Sequence, residues 1–191
     1  MLNQGAAFLA DTVLGLFIVA LLLRFYLQLF RAPYNNPLSP FIFAITDFLV
    51  KPARRIIPGH LGLDLATLVL AFLVELLAVS ILLWLNGMAP HPFTTGTLLV
   101  AALLAVTGLV RQSLHIFMLA LILQAVLSWV NPYSPLAPAL NSLTSPFLGF
   151  FRNRLPPAGN VDLSPLFAIV IIQLLLTVPL AWVDSLLYGM L

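Results

Sequence analysis

Long apolar runs alternate with shorter polar connections along this chain, and the run lengths indicate how it folds. Three runs, at about 7–30, 65–86 and 163–187, are each long enough to cross a bilayer, because about 20 helical residues span roughly 30 Å of hydrocarbon. A fourth, 97–130, is too long for one crossing, since 34 residues rising 1.5 Å each would reach about 51 Å. Gly108 and the polar triplet Arg111, Gln112 and Ser113 interrupt it. The pattern therefore predicts a short interfacial, re-entrant or tilted helix at 97–110 and a span at 112–130. Segment 38–50 has another rhythm: Phe41, Ile45, Phe48 and Leu49 fall near i, i+4, i+7 spacing, which predicts an amphipathic helix lying in the membrane interface.

The connections differ in charge. Residues 31–64 carry Arg31, Lys51, Arg54 and Arg55, and residues 131–162 carry Arg152 and Arg154, whereas 86–97 carries no Lys or Arg. The positive-inside rule places the two basic connections in the cytoplasm and the middle one outside. The expected fold is thus all-α, with four transmembrane helices and both termini outside; a full crossing by 97–110 would move the C-terminus inside. The first run is expected to be a retained helix rather than a cleaved leader, because it lacks a basic start and outlasts a signal h-region.

Composition sharpens the class. Hydrophobic residues make up 62% of the chain and charged residues 7%, with a mean hydropathy of +1.10, against roughly 45–50% and about 25% in soluble domains. That excludes an ordinary soluble enzyme, a disordered chain and a nucleic-acid binder. There is no cysteine, so disulfides, thiolate catalysis and cysteine metal sites are excluded. His60, His91 and His115 form no ligand spacing, and no nucleophile–base pattern or phosphate-binding glycine loop occurs. No cofactor, metal or enzymatic activity is expected.

The chain is also duplicated. A shift of 98 residues lays Pro37, Leu38 and Pro40 on Pro135, Leu136 and Pro138, Thr46 on Thr144, Arg54 on Arg152, Pro58 on Pro156 and Asp64 on Asp162. Proline, threonine, arginine and aspartate matches at one offset mark a repeat. The units are 1–96 and 97–191, each a helix, an amphipathic segment and a helix, and both point the same way across the membrane.

Few side chains stand out as functional candidates. Lys51, Arg54, Arg55, Arg152 and Arg154, with Phe48 and Phe147 on the apolar faces, are candidate contacts for anionic headgroups or a partner; the same charges also suffice merely to fix topology. Asp64 and Asp162 precede apolar runs as helix caps, and a salt bridge to Arg54 or Arg152 would lock each segment to the next helix. Glu75 lies in mid-span with Gln173 as its repeat mate; with Gln28 and Gln124 these residues are either packing glue or an intramembrane polar site. Arg24 is placed to snorkel to the interface.

The runs TDFLVKPARRIIP (46–58), LDLAT (63–67), SWVNP (128–132), LTSPFLGFFRNRLPP (143–157) and VDLSP (161–165) resemble the YggT (YlmG) family of small bacterial and plastid membrane proteins over nearly the whole chain. In the second unit the family's Pro-x-Arg-Arg run is replaced by Gly149-Phe150-Phe151-Arg152-Asn153-Arg154, so that unit makes the basic contacts less fully. The resemblance implies a multi-pass protein of the bacterial inner membrane or a plastid membrane, with no established enzymatic activity. It also implies links to cell division, envelope stress and membrane-complex biogenesis. The expected function is a non-enzymatic scaffold or assembly factor whose partners are the lipid bilayer, anionic lipid headgroups, and a membrane protein or a second copy of itself. The alternative is a small transporter or channel with its polar site at the repeat interface.

Overall fold

With so little polar surface, each apolar segment has to close its backbone hydrogen bonds within itself, and helices do so locally. The computed structural model describes residues 2–33, 36–57, 59, 63–88, 94–131, 133–152 and 164–191. Its elements are α1 (Leu2–Leu29), α2 (Leu38–Ile56), α3 (Leu65–Leu85), α4 (Thr95–Val130), α5 (Ala137–Arg152) and α6 (Ser164–Leu175); α6 passes through one π-helical turn (Leu176–Leu180) into α7 (Ala181–Tyr188). The stretches Asn3–Leu29, Leu65–Leu85, Thr95–Ser128 and Ser164–Tyr188 are long and apolar enough to cross a membrane. The fold is the all-α, four-span arrangement that the run lengths predict.

Helix ends are set by local chemistry. α1 closes with Arg31 at φ 50°, where the Ala32 N–H reaches Leu27 O (2.8 Å) and the Arg31 N–H reaches Gln28 O (3.1 Å). This pair of hydrogen bonds is the Schellman closure. α3 closes the same way through Gly87 at φ 68°, where glycine carries no Cβ penalty. The start of α2 is held by buried Asn36, whose Oδ1 accepts from the Leu38 and Ser39 N–H groups at 3.0 Å. Ser134, 98 residues on, accepts from the Leu136 N–H at 3.3 Å. The same turn therefore starts the middle helix of both units.

Packing repeats with the same offset. α2 lies across α1 and α3, and α5 lies across α4 and α6, while α3 against α4 joins the units. The buried faces of α2 and α5 match position for position: Ile42 with Leu140, Thr46 with Thr144, and Val50 with Leu148, each 3% exposed or less. Aromatic rings also bridge the units, with Tyr26 of α1 against Phe117 of α4 at 4.6 Å between centroids.

One expectation is corrected. α4 runs unbroken for 36 residues, so 97–110 is not a separate element. No proline interrupts it, and two members of the polar triplet that suggested a break, Arg111 and Ser113, find partners on neighbouring helices. Arg111 pairs with Asp184 of α7, and the Ser113 hydroxyl accepts from Tyr26 OH (2.8 Å) while donating to Leu109 O (2.6 Å). A continuous helix about 54 Å long tilts or projects beyond a bilayer, but it adds no crossing.

The lack of cysteine makes topology directly testable. Single cysteines at Asn3 and Met190 are expected to label from one side of sealed vesicles, and cysteines at Arg55 and Ser145 from the other. Labelling of Asn3 and Met190 from opposite sides would sink the four-crossing arrangement.

Candidate functional site

The charged side chains meet where α2 crosses the end of α1. Arg24 sits on α1 and is 4% exposed. It does not snorkel outward as its sequence position suggested; it turns into the bundle. Its Nη1 donates to Thr46 Oγ1 at 2.7 Å and to Asp47 Oδ1 at 2.8 Å, because an apolar setting forces a guanidinium to find acceptors within the protein. Asp47 also takes Lys51 Nζ at 2.8 Å, one helical turn on. Lys51, then Arg24, hold the Asp47 carboxyl below the ordinary carboxylate range. The Thr46 hydroxyl passes the chain on by donating to Ile42 O at 2.6 Å.

A second knot ties α2 to α3. Asp64 is 3% exposed and caps α3, accepting from the Thr67 N–H (3.4 Å) and the Thr67 hydroxyl (2.5 Å). Arg54 closes on it from α2, with Nη2 at 2.5 Å and Nε at 3.3 Å, and also donates to Gln28 Oε1 of α1 at 3.1 Å. Burial alone would raise the Asp64 carboxyl; the bonds from Arg54 and Thr67 outweigh it and hold the group below its ordinary value. Arg54 therefore joins three helices through one guanidinium.

The second unit repeats the geometry with neutral groups. Thr144, fully buried, lies against Gln124 Oε1 of α4 and donates to Leu140 O at 2.8 Å. Gln124 Nε2 donates to Asn141 Oδ1 at 2.5 Å. Thr46 and Thr144 thus anchor the middle helix of each unit, one to an arginine and one to a glutamine. Arg152 ends α5 and is exposed, while Arg154 and Asp162 lie outside the described residues.

The remaining candidates scatter. Lys51, Arg55 and Phe48 are exposed on α2, Phe48 by 70%. Phe147 is half-buried, 4.7 Å from the Phe117 ring, so it does not present an open face. Gln28 and Gln124 are engaged at the α2 and α5 anchors, and Gln173 is exposed. They do not converge on Glu75. That residue is 8% exposed and, among the described residues, has no hydrogen-bond or ion-pair partner. Its carboxyl occupies the space above Gly108 of α4, where an added Cβ would collide with it. No group of three metal-ligating side chains occurs among the described residues.

A family model described as CCB3/YggT matches residues 3–85 and again 103–183. An uncharacterized protein of Pseudomonas aeruginosa is 44% identical over 176 residues, covering 91% of this chain and 87% of the relative. The uncharacterized protein YggT of Escherichia coli K12 is 31% identical over 169 residues, covering 88% and 85%. The uncharacterized protein ycf19 of Porphyra purpurea is 31% identical over 74 residues, 37% of this chain and 78% of the relative. No solved structure matches.

Arg54→Ala is expected to cost about 1.5–3 kcal/mol, the range for a hydrogen bond to a charged group. Because the folded Asp64 carboxyl is held below its ordinary value, the Arg54–Asp64 contribution is complete above that value. It disappears as pH falls below about 4. Thermal unfolding of wild type and variant should differ at pH 7 and converge in acid. A gap that stays constant down to the acid end would refute the pairing as its source.

Proposed function

The chain belongs to the CCB3/YggT family, and on that premise we propose that it is a non-enzymatic integral membrane scaffold or assembly factor of the bacterial inner membrane. It works through α2 and α5 as amphipathic helices on the cytoplasmic face. The observation that carries this reading is the construction of α2. One face is locked to the bundle by Thr46, Asp47 and Arg54. The opposite face leaves Phe41 and Phe48 exposed by 63% and 70%, with Lys51 and Arg55 exposed beside them. A helix so firmly anchored, with its aromatic and basic residues turned outward, is built to present a surface. Headgroup attraction adds about 1 kcal/mol per basic residue near the surface.

α5 offers a weaker version of that surface. Phe147 is drawn inward, and the position that matches Phe48 at the offset of 98 residues is Pro146, which is exposed. The first unit is the principal contact and the second an auxiliary one.

Glu75 favours the second reading, a transporter or channel. An unpaired acid buried in a span is expensive and commonly functional. The other polar candidates do not gather around it, which leaves the acid without the lining a solute path needs.

In-cell photo-crosslinking from Phe48 and Pro146 tests the scaffold. A reproducible protein adduct at Phe48, stronger than at Pro146 and lost on neutralising Lys51 and Arg55, is the expected result. Lipid-only adducts at both positions would count against it. Glu75→Gln separates the two readings: a silent change is expected, and lost function at normal expression would favour transport.

A further inference from the structure

Behind α2, away from its exposed phenylalanines, lies a cavity of about 260 Å³ walled by Arg24 and Gln28 of α1 and by Phe43, Asp47 and Arg54 of α2. Two guanidinium groups from different helices face this one small space. Arg24 is almost wholly buried, lies over the Phe43 ring at 4.8 Å, and keeps a buried Nε that has no hydrogen-bond partner. A buried donor without an acceptor is costly and rare in native proteins. Gln28 gives its carbonyl oxygen to Arg54 and so has its amide nitrogen left to donate. The donors of the cavity outnumber its acceptors.

Charge and size narrow the occupant. Of the charged side chains that line it, Arg24 and Arg54 are cationic and Asp47 is anionic, an excess of one positive charge in the lining; Asp64, which pairs with Arg54, lies outside it. The volume is below the roughly 300–1,000 Å³ of pockets that enclose whole drug-sized molecules. A single tetrahedral anion fits both limits, and arginine forks match its oxygens.

We propose that the cavity between α1 and α2 binds a phosphate group bearing one negative charge, held by Arg24, Gln28 and Arg54. The source is either the phosphodiester of an anionic lipid headgroup or free phosphate. The lipid source rests on α2 lying at the membrane surface, as proposed above; the free-phosphate source does not. Occupancy would brace α2 against α1, so the surface that α2 presents would depend on what is bound behind it.

Thermal unfolding of the full-length protein in phosphatidylcholine nanodiscs reads the site directly. It is titrated with inorganic phosphate and, separately, with increasing phosphatidylglycerol in the disc. Gln28→Glu keeps an acceptor for Arg54 but places a carboxylate in the cavity. It should leave the unliganded protein as stable or more stable while weakening the response at least about tenfold. Arg24→Gln should weaken it similarly. Stabilisation by phosphatidylglycerol alone, weakened in Gln28→Glu, assigns the headgroup; stabilisation by inorganic phosphate, weakened in Gln28→Glu, assigns the free anion. No response to either overturns the site. So does a response that Gln28→Glu leaves intact but that Lys51→Gln with Arg55→Gln removes, because that pattern is surface attraction. Crosslinking from Phe48 reads the outer face of α2 and needs no ligand in the cavity, so failure at the cavity leaves the scaffold reading standing.

Discussion

A guanidinium 4% exposed near the end of an apolar helix has to be neutralised from inside the protein, and Arg24 meets that demand through α2. Its bonds to Thr46 and Asp47 fix where α2 lies and which face it buries. Much of the first unit follows from that placement. Val50 enters the core beside Ile18, Leu21 and Ala71, Arg54 comes within reach of Asp64 at the start of α3, and Phe41 and Phe48 are left facing outward. A connection that would otherwise be loose becomes a third structural element of the unit.

The two units share this plan but not its chemistry. Thr46 and Thr144 occupy the same place, both fully buried. The first answers an arginine in an ionic network, the second a glutamine in a neutral one. Hydrogen bonds to charged groups are roughly twice as strong as neutral ones. Charged anchoring therefore specifies α2 more strongly than α5, and two of the cations that anchor it, Arg24 and Arg54, also line the cavity behind it. Duplication supplied the architecture, and divergence concentrated the distinctive chemistry in the first half.

Much of this was legible in the residues. Run length gives the four spans, because hydrocarbon thickness is a one-dimensional constraint. The offset of 98 residues already paired Thr46 with Thr144. Asp64 as a cap joined to Arg54 follows from local order and a short loop. What could not be read depends on partners far apart in the chain. Arg111 looked like a break because its counter-ion, Asp184, lies more than seventy residues away. Arg24 looks free to snorkel because nothing in its own helix announces Asp47, which lies on α2, 23 residues along the chain. Phe147 sat on an apolar face by periodicity, yet periodicity does not say whether that face meets lipid or Phe117. Glu75 was visible as a mid-span acid, but its placement over Gly108 needs the crossing of α3 and α4.

The π turn at Leu176–Leu180 sets the phase of the last span. Pro179 has no N–H for the preceding turn, and a wider turn absorbs that loss. The buried positions of α6 fall at Ala168 and Ile172; an uninterrupted α-helix would carry the stripe on through about 179, 183 and 186. Instead it resumes at Leu180 and Leu187, with Asp184 between them. One extra residue has rotated everything beyond it by roughly 100°. That rotation turns Asp184 from lipid toward Arg111 and Thr107. The registry of this helix is thus written in a single proline, and the ion pair that ties α7 to α4 is its downstream product.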